Sequence, residues 1–173
     1  HILQPLGMAE TAFSVPDRCQ DRFAANYQRS GDSFELIDDS KTSAYLAPPA
    51  LLSGGGGLVS TTGDYYKFCQ MLLNKGALDG VRLLGCKTVD FMRSNHLPNG
   101  GDLTSMGQAV FSETRFDGVG FGLGFSVMLD PIKAQVLGSP GEYAWGGAAS
   151  TGWTIRDAVP IRWSGGWNRP TPR

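Results

Sequence analysis

The chain has 173 residues, which is room for one domain with a core that needs no disulfide or metal to hold it. Hydrophobic residues make up 41% and charged residues 18%, the reverse of the balance that keeps a chain disordered. The net charge is −1 with 15 basic and 16 acidic residues, so a surface that binds nucleic acid is not expected. No apolar run approaches the length of a membrane span, so no membrane partner is expected either.

The chain carries three cysteines, Cys19, Cys69 and Cys86, and two histidines, His1 and His96. An odd number of cysteines at unrelated spacings fits neither a disulfide framework nor a zinc set. We therefore expect reduced thiols, as in a cytosolic protein, and neither a metal ion nor a cofactor.

The first residues, HILQPLGMAET, show no signal-peptide pattern. Pro5 ends any helix at Gln4 and Gly7 favours a turn, so we expect the end of a helix followed by a connection. A short strand or helix is expected around residues 22–27. The polar stretch 28–49 predicts a long exposed excursion with a short strand near residues 34–37.

Residues 53–74 contain the clearest helical pattern. Four glycines lead into a Ser-Thr-Thr run that can cap a helix, Asp64 suits the first turn, and Lys75-Gly76 can end the helix. The glycine run lacks the Lys-Ser/Thr of a P-loop, which favours a tight turn over a phosphate site. The helix has one apolar face, on which Cys69 is expected to be a buried, unreactive thiol. That face consists of Tyr65, Phe68, Cys69, Leu72 and Leu73.

A second helix is predicted over residues 87–95, with Val89 and Met92 inward and Phe91 as a further inward candidate. His96 then lies at the helix end, where a surface or capping role is expected. Several carboxylates are expected to be solvated turn residues, since their spacing does not fit a glycosidase pair; they are Asp38, Asp39 and Asp64.

Two strands are predicted next. Residues 120–129, GFGLGFSVML, alternate strictly, and the face that carries three glycines is so bare that another segment must pack close to it. Residues 142–151 predict a neighbouring antiparallel strand. After Trp153 the chain is rich in Arg, Pro and Trp, which predicts an irregular tail over 154–173. Helices between strands without a repeat predict the α+β class.

Several segments, in order, resemble the serine β-lactamase superfamily. Residues 4–13 are similar to its P-L-G-M-x-D/E-T-x-F stretch, and residues 53–74 to its S-G-G-G-G-L-x-S-T-x-x-D-Y-x-x-F helix entry. Leu83-Leu84, the helix end at 95–98 and GFGLGF follow in the family's order. Residues 139–151, SPGEYAWGGAAST, resemble the third motif of the class C-like esterases (family VIII carboxylesterases), which have Trp-Gly-Gly where class C lactamases have Lys-Thr-Gly.

The resemblance implies an antiparallel sheet flanked by helices, in a fold that is incomplete. In this family the acylating Ser and its Lys form an S-x-x-K motif, and a Tyr of Y-x-N or Y-x-S assists, all upstream of P-L-G-M. The chain contains neither motif. Residues 1–153 are therefore expected to be the C-terminal portion of a β-lactamase-like serine hydrolase domain, and residues 154–173 an atypical tail.

The resemblance also implies a site. Ala148 would donate its backbone N–H to the oxyanion, and Gly146 and Gly147 would let the strand approach the substrate. Trp145 would form an apolar wall, with core packing as the alternative.

The implied function is an esterase that acts on a small-molecule ester with a short acyl group. The nucleophile-bearing N-terminal part is then a candidate partner. The alternatives are an inactive fragment or binding remnant of the fold, and a β-lactamase. Trp145 disfavours the last, because it stands where a Lys binds the lactam carboxylate.

Overall fold

The structure is a computed structural model and describes residues 1–106, 116–147, 151–156 and 159–164. The helices are α1 (Thr62–Leu73), α2 (Cys86–Met92) and α3 (Pro131–Ala134). The strands are β1 (Asn26–Ser30), β2 (Ser33–Asp38), β3 (Ala77–Leu78), β4 (Val81–Arg82), β5 (Val119–Phe121), β6 (Ser126–Met128), β7 (Tyr143–Gly147), β8 (Thr151–Arg156) and β9 (Val159–Ser164). They form two small antiparallel sheets, β1–β2 and β3–β4, and one five-stranded antiparallel sheet in the order β5-β6-β7-β8-β9.

This mixture of antiparallel sheets and a few helices confirms the predicted α+β class. Among the described residues, no helix has the length and apolar composition needed to cross a membrane.

Helix α1 forms where the sequence predicted a helix. The Thr61 side chain caps it by accepting a hydrogen bond from the Asp64 N–H at 3.2 Å. The helix ends through Lys75 and Gly76, both in the left-handed region, and the Gly76 N–H donates to the Met71 carbonyl at 2.8 Å. Its apolar face packs against the five-stranded sheet.

The main core lies between α1 and the sheet, with the N-terminal residues along one side. Four aromatic rings contact one another in it, with Trp153 meeting the rings of Tyr65, Phe125 and Tyr143. The buried residues of this core are Leu6, Met8, Cys69, Met71, Leu72, Phe125, Val127, Tyr143, Trp153 and Ile155.

Helix α2 is shorter than predicted. Val89 is buried, as expected, but Phe91 is 61% exposed, so its inward assignment is wrong. At the helix end the Met92 carbonyl accepts a hydrogen bond from the Leu123 N–H at 2.8 Å, which joins the helix to the turn between β5 and β6. His96 lies just beyond the helix, and its Nε2 is 2.8 Å from the Phe91 carbonyl oxygen, which confirms the capping role.

The glycine-rich segment 120–129 is a hairpin, so the prediction of one continuous strand is wrong. Strands β5 and β6 pair antiparallel, with a turn closed by a 2.8 Å hydrogen bond from the Gly122 N–H to the Phe125 carbonyl. Gly124 has φ of +104°, which a side chain would strain. The expected close packing is confirmed, because a Cβ on Gly122 would lie 2.2 Å from the Met92 carbonyl oxygen.

The segment after β6 also differs from expectation. Strand β7 pairs with β6, as predicted for neighbouring antiparallel strands, but it is described only to Gly147, and Thr151 begins β8.

The prediction of an irregular tail is wrong for residues 154–156 and 159–164, which are strand. Ile155 is fully buried, so burial of this side chain outweighs the polar composition around it. The proposed boundary after Trp153 stays a prediction.

The N-terminal third combines turns, short 3-10 helices and one two-stranded hairpin. Residues 1–11 form turns where a helix end was expected, with the Met8 N–H donating to the Leu3 carbonyl at 2.8 Å. A 3-10 turn over Asp17–Arg22 precedes the β1–β2 hairpin. Strand β2 contains the strand predicted near 34–37, and most of the excursion is exposed, as expected.

Candidate active site

One edge of strand β7 is open along its last three described residues. On one side, β7 pairs with β8 from Tyr143 to Gly147. On the other side, β6 pairs only with Tyr143 and Ala144. Residues 145–147 therefore extend past the end of β6, and no described strand pairs with that edge. Backbone N–H and C=O groups on such an edge can bind an extended ligand.

Gly146 and Gly147 leave this edge without side chains. A Cβ on Gly147 would lie 2.7 Å from the Thr151 Oγ1 on β8, and one on Gly146 would lie 3.2 Å from the Thr151 carbonyl oxygen. A side chain at either position would have to displace Thr151 on β8, so small residues fit best here. The same glycines keep the backbone accessible, since both are exposed.

Trp145 is 37% exposed and is not one of the buried core residues. Its indole contacts the ring of Phe121 on β5 edge-on, with centroids 5.0 Å apart and planes at 78°. Such a pair contributes roughly 0.5–1.5 kcal/mol beyond the area it buries. Trp153, directly opposite on β8, is by contrast only 9% exposed. The core therefore uses Trp153, while Trp145 presents apolar surface at the open edge.

The structure brings together three of the four site residues predicted from the sequence, because Trp145, Gly146 and Gly147 are consecutive on β7. Ala148, the predicted oxyanion donor, lies outside the described residues. Its role stays a prediction.

Asn95 holds the backbone of Phe121, whose ring contacts Trp145, and was missed by the sequence reasoning. Its Oδ1 accepts hydrogen bonds from the N–H groups of Phe121 at 3.1 Å and Leu97 at 3.2 Å. Its Nδ2 donates to the Gly101 carbonyl at 2.9 Å. One side chain thus joins the end of α2 to β5. The only local signal was an Asn just after a predicted helix, which does not reveal a partner 26 residues away.

Asp64 corrects another expectation, since it is 5% exposed and not a solvated turn residue. Its carboxylate accepts hydrogen bonds from the Glu10 N–H at 2.7 Å and from Lys67 Nζ at 3.0 Å. Burial alone would raise its pKa, but these bonds and one from the Thr11 hydroxyl outweigh burial and hold the pKa below the ordinary value. Asp64 therefore fixes the N-terminal turns to α1.

A cleft of about 220 Å³ lies between the N-terminal turns and the start of α1 and is lined by Glu10, Cys19 and Arg22, among others. Arg22 and Glu10 form an ion pair at 2.6 Å, and the hydrogen bond from Arg22 lowers the pKa of Glu10. The two charges compensate each other. This arrangement stabilises the turns, and nothing in it indicates a ligand.

Similarity to known sequences extends over nearly the whole chain. The family model described as Beta-lactamase matches residues 1–172. The uncharacterized protein MT1414 of Mycobacterium tuberculosis strain CDC 1551 / Oshkosh is 38% identical over 155 residues. Protein Rv1367c of strain H37Rv matches with the same identity. The matches cover 88% of this chain but 37% of each relative, so the chain spans well under half of their length.

Solved structures share the fold. EstCE1, a hydrolase with promiscuous acyltransferase activity, is 26% identical with a TM-score of 0.68. The match covers 92% of this chain and 42% of EstCE1. Unliganded simvastatin synthase LovD from Aspergillus terreus, as its selenomethionyl derivative, has a TM-score of 0.71 at 22% identity, over 92% of this chain and 41% of LovD. At that identity LovD supports the fold alone.

Proposed function

Because this chain belongs to the Beta-lactamase family, we propose that it is the C-terminal part of a serine hydrolase that cleaves esters through an acyl-enzyme. The observation that carries this proposal is the open edge of β7, where Trp145 stands beside two exposed glycines. A hydrolase among the structures that share the fold supports the same kind of chemistry.

In the proposed mechanism, the nucleophilic Ser and its Lys belong to residues outside this chain, because the 173 residues contain no S-x-x-K motif. The Lys takes the proton of the Ser hydroxyl as the Ser oxygen attacks the ester carbonyl. The Lys gives this proton to the alcohol oxygen as the alcohol leaves. Water then attacks the acyl-enzyme carbonyl, which releases the acid and returns a proton to the Ser oxygen.

This chain would supply the surface on which the tetrahedral intermediate is held. The Ala148 N–H would bind the oxyanion, a contact for which roughly 3–4 kcal/mol of transition-state stabilisation is usual. The bare backbone at Gly146 and Gly147 would lie along the substrate, and Trp145 would contact its apolar group. No step requires a metal or a cofactor.

The proposal is tested by mixing this chain with a separately produced polypeptide that carries the N-terminal part of the fold with its S-x-x-K motif. We expect the mixture to hydrolyse p-nitrophenyl butyrate and each component alone to be inactive. A mixture with no activity, under conditions in which the two polypeptides bind each other, would contradict the proposal.

A second candidate is a catalytically inactive binding remnant, which the absence of S-x-x-K from the chain favours. The intact mass of the native sample separates the two. A single species of 18.5 kDa favours the remnant, whereas a co-purifying polypeptide that bears S-x-x-K favours the hydrolase.

A β-lactamase is a further alternative. The observation against it is that Trp145 cannot pair with the carboxylate of a lactam as a Lys would. Hydrolysis of a chromogenic cephalosporin by the active mixture, at a rate comparable with ester hydrolysis, would favour the lactamase instead.

A further inference from the structure

Phe121, whose ring contacts Trp145, can influence which substrates the open edge of β7 accepts. Phe121 meets the indole edge-on at a centroid distance of 5.0 Å, and Trp145 nevertheless keeps 37% of its surface exposed. The Phe121 ring thus supports the indole while leaving part of it free to contact a ligand.

Phe121 itself cannot shift easily. Its N–H donates to Asn95 Oδ1 at 3.1 Å, and its carbonyl accepts from the His96 N–H at 2.8 Å. The glycines on either side pack so closely that a Cβ on Gly120 would lie 2.5 Å from Asn95 Cγ. The backbone of Phe121 is therefore fixed from several directions, and from this position its ring contacts Trp145.

The Phe121–Trp145 pair also stands outside the main core. The core of the sheet has its own aromatic cluster, in which Phe125 contacts Tyr143 at 4.9 Å and Trp153 at 5.9 Å. A pair of partly exposed rings next to bare backbone has the composition of a ligand site, which combines apolar walls with a few backbone polar groups.

We propose that Phe121 is a specificity-determining residue that, with Trp145, closes the apolar end of the β7 edge to long acyl chains. A short acyl group lies against the indole, whereas a longer one meets the Phe121 ring. Asn95 is a positioning residue that acts through Phe121. The assignment of the ligand as an ester rests on the proposed function.

Binding to this chain alone tests the proposal without any need for the nucleophile. Saturation-transfer NMR compares methyl butyrate with methyl octanoate on the wild type and on Phe121→Ala. The matched control is Phe34→Ala, which removes an exposed ring on β2. We expect the wild type to favour butyrate, and the octanoate-to-butyrate ratio to rise about tenfold in Phe121→Ala but not in the control. An unchanged ratio in Phe121→Ala, or no ester binding by the wild type, would overturn the proposal.

Two variants test Asn95. Asn95→Ala removes the acceptor for the Phe121 N–H together with the donor to the Gly101 carbonyl, whereas Asn95→Asp loses only that donor and keeps the acceptor oxygen. We expect the octanoate-to-butyrate binding ratio of Asn95→Ala to rise toward that of Phe121→Ala. The ratio of Asn95→Asp should stay near the wild-type value. If Asn95→Ala lowers the unfolding midpoint but leaves the ratio unchanged, its role is structural and the positioning role is wrong.

Hydrolysis by the reconstituted mixture separates this inference from the proposed function. Absence of hydrolysis for every chain length, together with the expected shift in binding, contradicts the proposed function and supports the role of Phe121. Hydrolysis with a chain-length profile that Phe121→Ala does not alter supports the function and overturns the role of Phe121.

Discussion

The carboxylate of Asp64, at the start of α1, accepts a 2.7 Å hydrogen bond from the backbone N–H of Glu10. Thr11, the next residue along the chain, donates its hydroxyl to the same carboxylate oxygen at 3.2 Å. This buried contact joins segments more than fifty residues apart and closes the N-terminal turns onto the helix. It makes Asp64 a structural residue of the fold.

Asp64→Asn is expected to lower the free energy of unfolding by about 1–3 kcal/mol, because the amide loses the ionic contact with Lys67 and leaves a buried group poorly paired. Urea unfolding followed by circular dichroism measures the change. The control Asp32→Asn alters a fully exposed carboxylate and should stay within about 0.5 kcal/mol of the wild type. Equal effects of the two substitutions would contradict the structural role.

The pH dependence of stability provides a separate prediction. The folded-state pKa of Asp64 lies below its ordinary value of 3.8, so the carboxylate contributes its full stabilisation above that pH. The contribution is lost as the pH falls through the lowered folded-state pKa. The difference in urea midpoint between the wild type and Asp64→Asn should therefore shrink below about pH 4. A difference that grows on acidification would contradict the assignment.

Gly122→Ala is expected to destabilise the fold by about 1–3 kcal/mol or more, because the new Cβ would overlap the Met92 carbonyl. Gly63→Ala is the matched control, since nothing lies within 4 Å of its Cβ position and Ala favours a helix. We expect the control to be neutral or slightly stabilising. Thermal unfolding of both variants measures the contrast, and similar melting temperatures would argue against the close approach.

Local patterns predicted α1 well because its cap, its apolar face and its termination signal lie within one short segment. They failed at residues 120–129, where Phe121, Leu123 and Phe125 alternate as in a strand although the turn at Gly124 divides the segment. Apolar alternation cannot distinguish one strand from a tight hairpin when glycine occupies every second position.

In the candidate site, too, the features that depend on neighbouring residues could be predicted from the sequence, and those that depend on distant contacts could not. The motif around Trp145 could be recognised from consecutive residues, and the structure places them together on β7. The contribution of Phe121 and Asn95 could not be predicted, because it depends on which strand pairs beside β7 and on how α2 ends. Those features are decided by packing between distant segments.

Cys69 and Cys86 should differ sharply in reactivity. Cys69 is 1% exposed, and burial raises the pKa of its thiol to about 12, so the reactive thiolate is scarce at neutral pH. Cys86 is exposed. We expect iodoacetamide at pH 8 to alkylate Cys86 in the folded protein and Cys69 only after denaturation, as measured by peptide mass spectrometry. Alkylation of both at similar rates in the native protein would contradict the burial of Cys69.

Trp145 and Trp153 face each other across β7 and β8 and offer a matched pair of substitutions. Trp153→Ala should cost about 3–5 kcal/mol, because its ring contacts three others in the core. Trp145→Ala should cost far less, since its indole is partly exposed and meets only the Phe121 ring among the described contacts.

In the reconstituted mixture, however, Trp145→Ala should reduce ester hydrolysis at least tenfold, roughly the loss of one apolar substrate contact. Unfolding midpoints and kcat/KM for p-nitrophenyl butyrate measure the two effects. If Trp145→Ala unfolds the chain as readily as Trp153→Ala does, or leaves hydrolysis unchanged, Trp145 is a packing residue and not a wall of the site.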